Sequence, residues 1–190
     1  MQVEPNPNIP DVLLIKPRLF QDDRGFFAEL WKQARYAEAG VVGEFVQDNV
    51  SRSSRGVLRG MHMQLDPYAQ GKLVTVLRGA IFDVAVDVRV GSPTFGQWGG
   101  HTLTGETLHQ LWVPPGFAHG FQALQDDTIV QYKCTAPYHQ ASELGLSWSD
   151  PEIGIVWPLP DPPLLSSKDA EAPTVAEVLD RLPRWTGGVR

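Results

Sequence analysis

Short apolar runs, punctuated by turn residues, fill most of this 190-residue chain, and few are long enough for a full helix. The pattern predicts strands over 11–16, 26–31, 45–50, 57–64, 73–77, 80–90, 102–103, 110–113, 120–124 and 129–135. The run 80–90 alternates most cleanly: Val84, Val86 and Val88 share one face, and Asp83, Ala85, Asp87 and Arg89 the other. Arg78-Gly79, between two apolar runs, predicts a hairpin, and Pro114-Pro115-Gly116 a sharp turn. Residues 33–39 are good helix formers that stop at Gly40, so a short helix is predicted there. Thr174 with Glu177 reads as a capping box opening a helix over 174–182. Residues 158–163 form a Pro-rich loop and 184–190 a loose tail. Many strands without alternating long helices predict an all-β, antiparallel barrel or jelly roll with a few short peripheral helices. No repeat or long linker divides the chain, so one domain is expected over 1–190, its core at about 11–173.

Composition narrows the function classes. Hydrophobic residues make up 42%, which excludes a disordered chain. The net charge of −6 argues against a nucleic-acid binder held by a general basic field, though not against a local basic pocket for a small anion. The one cysteine, Cys134, allows no intrachain disulfide. Residues 1–10 are polar and Pro-rich and lack the apolar stretch of a signal peptide. No run approaches a membrane span. A cytoplasmic protein is the simplest expectation.

Several predicted strands carry ionisable residues amid apolar neighbours. Arg59 and His62 lie in 57–64, Lys72 opens 72–74, His119 follows the Pro-Pro-Gly turn, and Tyr132 and Lys133 sit in 129–133. Each either faces solvent on a half-exposed strand or lines an interior pocket, where it needs a partner. A metal is the first chemistry to test. Small β-barrels often bind one with a His-x-His pair plus a Glu and a further His. Here His62 is followed two positions later by Gln64, and His101, His109 and His139 are scattered. Three or four ligands do not assemble, so no metal is expected, and His62 is left for proton chemistry. There is neither a Gly-x-Gly-x-x-Gly dinucleotide fingerprint nor a P-loop.

Eight motifs then occur in order: Asp22-Asp23-Arg24-Gly25-Phe26-Phe27, Gln47-Asp48-Asn49, Val57-Leu58-Arg59-Gly60-Met61-His62, Gln70-Gly71-Lys72-Leu73-Val74, Phe82-Asp83-Val84-Ala85-Val86-Asp87, Ser92-Pro93-Thr94-Phe95-Gly96, Pro115-Gly116-Phe117-Ala118-His119-Gly120-Phe121 and Ser167-Lys168-Asp169-Ala170. With them the chain closely resembles the dTDP-4-dehydrorhamnose 3,5-epimerase family. The resemblance implies a cupin-like antiparallel jelly-roll barrel, a homodimer with site residues shared across the interface, and a dTDP-sugar substrate. It implies His62 as proton acceptor, Tyr132 as proton donor, Asp169 as the carboxylate paired with the base, and Tyr138 stacking on thymine. Arg24, Glu29, Gln47, Asp48, Asn49, Arg59, Lys72, His119, Glu143 and Lys168 are implied as substrate contacts, with Arg24 and Glu29 reaching the site across the dimer. Met61, Met63 and residues 139–142 depart from the family's usual residues.

Inverting a carbon beside a ketone needs a base on one face, a donor to the enolate oxygen and an acid on the other face. Imidazole, with an ordinary pKa of about 6.5, is available neutral. Asp169 fixes its tautomer by triad logic. Lys72 suits a developing oxyanion, and Tyr132 is normally protonated and able to act as acid. Arg59 and Arg24 suit a pyrophosphate. The reaction is redox-neutral and calls for no cofactor. His119 either binds a sugar hydroxyl or neutralises the enolate, and Asp83 either supports Lys72 or His62 or faces solvent. A C3-only epimerase or a 3,4-ketoisomerase is the alternative within the family, and a non-catalytic binding cupin the alternative outside it.

Overall fold

The structure is a computed structural model and describes residues 1–187. Its strands are β1 (Gln2–Pro5), β2 (Leu13–Lys16), β3 (Leu19–Asp22), β4 (Gly25–Ala28), β5 (Gln47–Ser53), β6 (Leu58–Gln64), β7 (Lys72–Arg78), β8 (Ala80–Asp87), β9 (Trp98–Thr104), β10 (Gln110–Val113), β11 (Phe117–Ala123), β12 (Thr128–Cys134) and β13 (Glu143–Gly145). Two short helices join them, α1 (Gln33–Glu38) and α2 (Ser167–Ala170). All the strand pairs within the sheets are antiparallel. One sheet runs β1-β2-β10-β7-β12-β5 and the other β13-β6-β11-β8-β9, while β3 and β4 pair only with each other as a two-stranded arm. This is the all-β, cupin-like barrel that the strand pattern and the family resemblance predict.

Three apolar clusters set its layers. Leu14, Val74, Val76, Leu111 and Val130 from one sheet meet Ile81, Ala85, Leu103, Phe117 and Phe121 from the other inside the barrel. Val84, Val86 and Val88 face the opposite way, into a cluster with Met61, Met63, Leu144, Ile153, Trp157 and Val178. The alternation in 80–90 therefore marks a strand buried on both faces rather than a half-exposed one. On the outside of the six-stranded sheet, Tyr36 of α1 and Val41 just after it cover Ile15, Leu73 and Trp112. Burying each of these large side chains contributes about 1.5–3 kcal/mol relative to exposure, so both sheets are anchored on both faces.

Four expectations change. Arg78-Gly79 is not a hairpin: it carries the chain from β7 in one sheet to β8 in the other. Gly79 has φ +79, and a Cβ there would stand 2.4 Å from Thr128 Oγ1, so this crossing needs glycine. Residues 2–5 form a strand that the sequence pattern did not mark, because only one of the four is even half-buried. The predicted helix over 174–182 is a 3₁₀ segment, Ala176–Arg181, interrupted by non-helical backbone at Val178. Glu177 does bind Thr174, accepting from its N–H and its hydroxyl at 2.8 Å, but Thr174 caps no N–H in return. The start of the tail is tied down, with Trp185 N donating to Val90 O at 3.0 Å, while residues 188–190 lie outside the described residues. Among the described residues no helix is long and apolar enough to cross a membrane.

Candidate active site

The barrel holds a cleft in two lobes that share His62, Lys72 and Tyr132 as a common wall. Strand alternation builds most of it. On β5, Gln47, Asn49 and Ser51 point inward, and on β7 and β12 Lys72 and Tyr132 do the same. Simple alternation on β6 would put Arg59 and His62 on opposite faces. A bulge prevents this: His62 pairs with His119 and Arg59 with Phe121, so that two residues on β6, Gly60 and Met61, stand against one on β11, Gly120. Gly60 makes the bulge possible. Its φ is +134, and a Cβ would sit 2.5 Å from Gly120 Cα. Arg59 and His62 thus line the same lobe, while Met61 and Met63 turn into the cluster outside the sheet.

His62 shares a 2.6 Å hydrogen bond between its Nε2 and Asp169 Oδ1. Asp169 is brought there by α2, whose N-cap Ser166 accepts from Asp169 N at 3.2 Å. Burial pushes the His62 pKa below the ordinary histidine value; Asp169 opposes the fall, and Lys72 and Lys168 add to it. At neutral pH the imidazole is therefore uncharged. Nε2 is engaged by Asp169, so Nδ1 is the nitrogen with a free lone pair.

Lys72 reaches across from the other sheet and donates to the His62 carbonyl at 3.3 Å. Burial lowers its pKa, with Asp83 and Glu143 among the groups that offset part of the fall. Burial also raises the Tyr132 pKa above the usual phenol value, so its hydroxyl stays protonated. Since β6 and β12 belong to different sheets, His62 and Tyr132 approach the space between them from opposite sides.

His119 faces His62 across the ladder and binds Asp83 Oδ1 at 2.8 Å. Asp83 is fully buried, and its Oδ2 has no hydrogen-bond partner. Asp83 therefore pairs with His119, where the sequence suggested Lys72, His62 or solvent. Asp87, on the same face of β8, is a structural acceptor for Arg89, Ser92 and Thr94.

At the mouth, Glu143 accepts from the Tyr138 hydroxyl at 3.0 Å and forms an ion pair with Lys168. Burial works against ionisation of Glu143, but the bonds from Lys168 and Tyr138 hold its pKa below the ordinary value. The Glu143 bond raises the Tyr138 pKa. Arg59 is steadied by Ser53 Oγ at 3.1 Å and shares its lobe with Lys168, making that lobe cationic.

Three of the residues singled out from sequence lie elsewhere in the protomer. Asp48 sits on the outer face of β5 and pairs with Lys133 at 2.9 Å. Arg24, on the β3–β4 arm, pairs with Asp22, and its side chain is 89% exposed. Glu29 follows the arm and pairs with Arg35 at 2.6 Å. Conversely, Ser51, Gln70, Phe121 and Ser166 line the cleft but were not picked out as site residues. Ser51 shares the period-two face of Gln47 and Asn49, and Ser166 heads a Ser-x-x-Asp capping pattern, so both carried a readable signal. Gln64 points into the cleft as expected of a residue two after His62, and its amide binds backbone groups of two loops. Among the described residues, no three His, Cys, Asp or Glu side chains converge as ligands for an ion.

Comparison with known proteins shows the family and the fold. The chain is 54% identical over 162 residues to the dTDP-4-dehydrorhamnose 3,5-epimerase of Shigella flexneri, covering 85% of this chain and 89% of that protein. Its fold superposes on the dTDP-6-deoxy-D-glucose-3,5-epimerase of Legionella pneumophila, solved in complex with dTDP-4-keto-L-rhamnose. The TM-score is 0.93 at 47% identity, covering 98% of this chain and 99% of that one. It also resembles a 3'-monoepimerase of Streptomyces bikiniensis in complex with dTDP-quinovose, with a TM-score of 0.89 at 36% identity, covering 95% and 93% of the two chains. The profile of the family described as dTDP-4-dehydrorhamnose 3,5-epimerase matches residues 6–177. On these likenesses, the chain belongs to the dTDP-4-dehydrorhamnose 3,5-epimerase family.

Proposed function

We propose that this protein is an isomerase that epimerises dTDP-4-dehydro-6-deoxy-D-glucose at C3 and C5, giving dTDP-4-dehydro-L-rhamnose on the route to dTDP-L-rhamnose. The observation that carries the reading is the His62–Asp169 bond of 2.6 Å in a cleft that also holds Lys72 and Tyr132. C3 and C5 both flank the C4 ketone, so one set of groups can serve both. His62 takes the proton from the carbon, and the resulting imidazolium is stabilised by Asp169. The electron pair moves to the C4 oxygen, where the Lys72 ammonium stabilises the enolate. Tyr132 then gives its hydroxyl proton to the other face of the same carbon, and the configuration inverts. Exchange with water returns His62 and Tyr132 to their starting states. His119, held by Asp83, borders the same lobe and supports the sugar.

Arg59 and Lys168 make the cationic lobe a seat for the diphosphate. Gln47, Asn49, Tyr138 and Glu143 line the other lobe, which suits the nucleoside end. The reading includes a homodimer. Phe20, Phe26 and Phe27 are exposed, Phe27 by 69%, on an arm that among the described residues joins neither large sheet, and such patches mark interaction surfaces. In the dimer the arm carries Arg24 and Glu29 to the partner's cleft. The reading places the enzyme in the cytoplasm, in keeping with a single, buried, unpaired cysteine.

The likeness to a monoepimerase favours one second reading, inversion at C3 alone. Proton NMR of the 4-keto sugar nucleotide in heavy water decides between them. Deuterium at C3 and C5 is expected with the wild type, and none with His62→Asn. Uptake at C3 alone overturns the double epimerisation.

A further inference from the structure

Residues 136–139 follow β12, and every one of them has a backbone group held by a glutamine side chain. Gln70 Nε2 donates to Ala136 O at 2.7 Å, and Gln64 Nε2 to Pro137 O at 3.1 Å. Tyr138 N donates to Gln47 Oε1 at 2.8 Å, and His139 N to Gln64 Oε1 at 2.8 Å. The second Gln64 N–H goes to Tyr68 O at 2.7 Å. Gln64 is 5% exposed, and both donors and the carbonyl oxygen of its amide are engaged. It stands in the five-stranded sheet and Gln47 in the six-stranded one, so the loop is fastened to both walls of the barrel. The His139 ring stacks on Tyr68 with centroids 3.9 Å apart, closing the same clamp from outside. What the clamp presents is Tyr138, a residue 55% exposed with its hydroxyl on Glu143.

We propose that Gln64 is a positioning residue that holds the Tyr138–Glu143 wall ready for the nucleoside end of the substrate, and so sets affinity rather than proton transfer. This rests on the reading above of which lobe takes the nucleoside. A loop already in its bound shape loses little conformational freedom on binding, and the freedom not lost appears as affinity. Only an amide fits here. A carboxylate has no N–H for the two carbonyls and would aim charge at them, and an apolar side chain leaves three backbone groups unpaired.

The test compares wild type, Gln64→Met and Gln70→Met. Calorimetry with dTDP gives Kd, steady-state kinetics give kcat and KM, and hydrogen exchange follows the Tyr138 and His139 amides. For Gln64→Met the expected result is a rise of about tenfold in Kd and KM, the net worth of one buried hydrogen bond. The kcat should change by less than about threefold, and the His139 amide should exchange faster. Gln70→Met removes a single bond from the same clamp and should move Kd the same way by less. It carries the test where Gln64→Met does not fold. An unchanged Kd despite faster exchange overturns the proposal, as does a fall in kcat at unchanged KM. A wild type that binds dTDP but epimerises nothing overturns the reaction, and the Kd comparison still judges Gln64.

Discussion

His62 and His119 face each other directly across the β6–β11 ladder, yet each binds a different carboxylate. His62 reaches out of its sheet to Asp169 on α2, where its side chain keeps 30% exposure to the cleft. His119 turns to Asp83 on the neighbouring strand of its own sheet, where the two side chains are 8% and 0% exposed. The same chemical pair is thus built twice, once at the cleft surface and once inside the wall. A base must exchange protons with substrate and solvent, and His62, at 30% against 8% for His119, has the greater access to both.

The pH profile should follow from this. Burial lowers the His62 pKa, so the imidazole stays neutral below pH 6.5. Activity needs that neutral form, is full above the lowered pKa and is lost as pH falls through it. The acid limb of kcat/KM should accordingly lie below about 6.5. Asp169 opposes the lowering, so Asp169→Asn should move the limb to still lower pH. It should also reduce kcat by about 10²–10⁴ through loss of the orienting carboxylate. A limb at or above the ordinary histidine value in the wild type would contradict the geometry.

The inner pair predicts a difference in stability. His119→Ala leaves Asp83 as a fully buried carboxylate with neither oxygen bonded. Leaving such a buried acceptor unpaired costs about 1–3 kcal/mol, on top of the packing lost with the ring. His62→Ala should cost less, under about 2 kcal/mol, because water in the cleft can replace the lost bond to Asp169. Denaturant melts of the two variants measure both, and equal losses would mean that the Asp83 pair is as well hydrated as the other.

Tyr132→Phe separates the two faces of the reaction. The phenol sits on the opposite sheet from His62, and burial keeps it protonated to above its usual pKa of about 10. Without the hydroxyl, His62 can still remove a proton and return a deuteron from solvent on its own side. Heavy-water NMR should show isotope entering the substrate with retained configuration, while product formation falls by about 10²–10⁴. Inversion at an undiminished rate would remove Tyr132 from its role.

Much of the barrel was legible because each strand carries its own period, and the inward set Gln47–Asn49–Ser51 could be read off in the same way. What was illegible needs a second strand to define it. The bulge that turns Arg59 to the side of His62 exists because Gly60 lies against Gly120, a contact between residues far apart in sequence. Arg78-Gly79 has hairpin chemistry, and only the packing of β8 on β11 and β9 sends the chain to the other sheet. The partner of Asp83 was equally hidden, since β8 offers no local hint that β11 will bring His119 beside it. The proposed catalytic residues stand in ordered motifs that sequence displays; the geometry that brings them together comes from long-range pairing.

The arm supplies the last prediction. Among the described residues Arg24 pairs with Asp22 and is not in the lining of the His62 lobe, so the proposed diphosphate contact through Arg24 calls on a partner's arm. His62→Asn and Arg24→Ala should each lose activity as homodimers, the second mainly through a higher KM. After subunit exchange between them, a mixed dimer has one cleft with an intact His62 that receives Arg24 from the other chain. That cleft should work, so mixing two impaired proteins should restore turnover at low substrate. If Arg24 served its own protomer's cleft, that same cleft would keep the Ala, and mixing would restore nothing. Sedimentation of a Phe26→Ser, Phe27→Ser variant supplies the companion measurement. Loss of the exposed rings should shift the protein toward monomer, and the activity should fall with it.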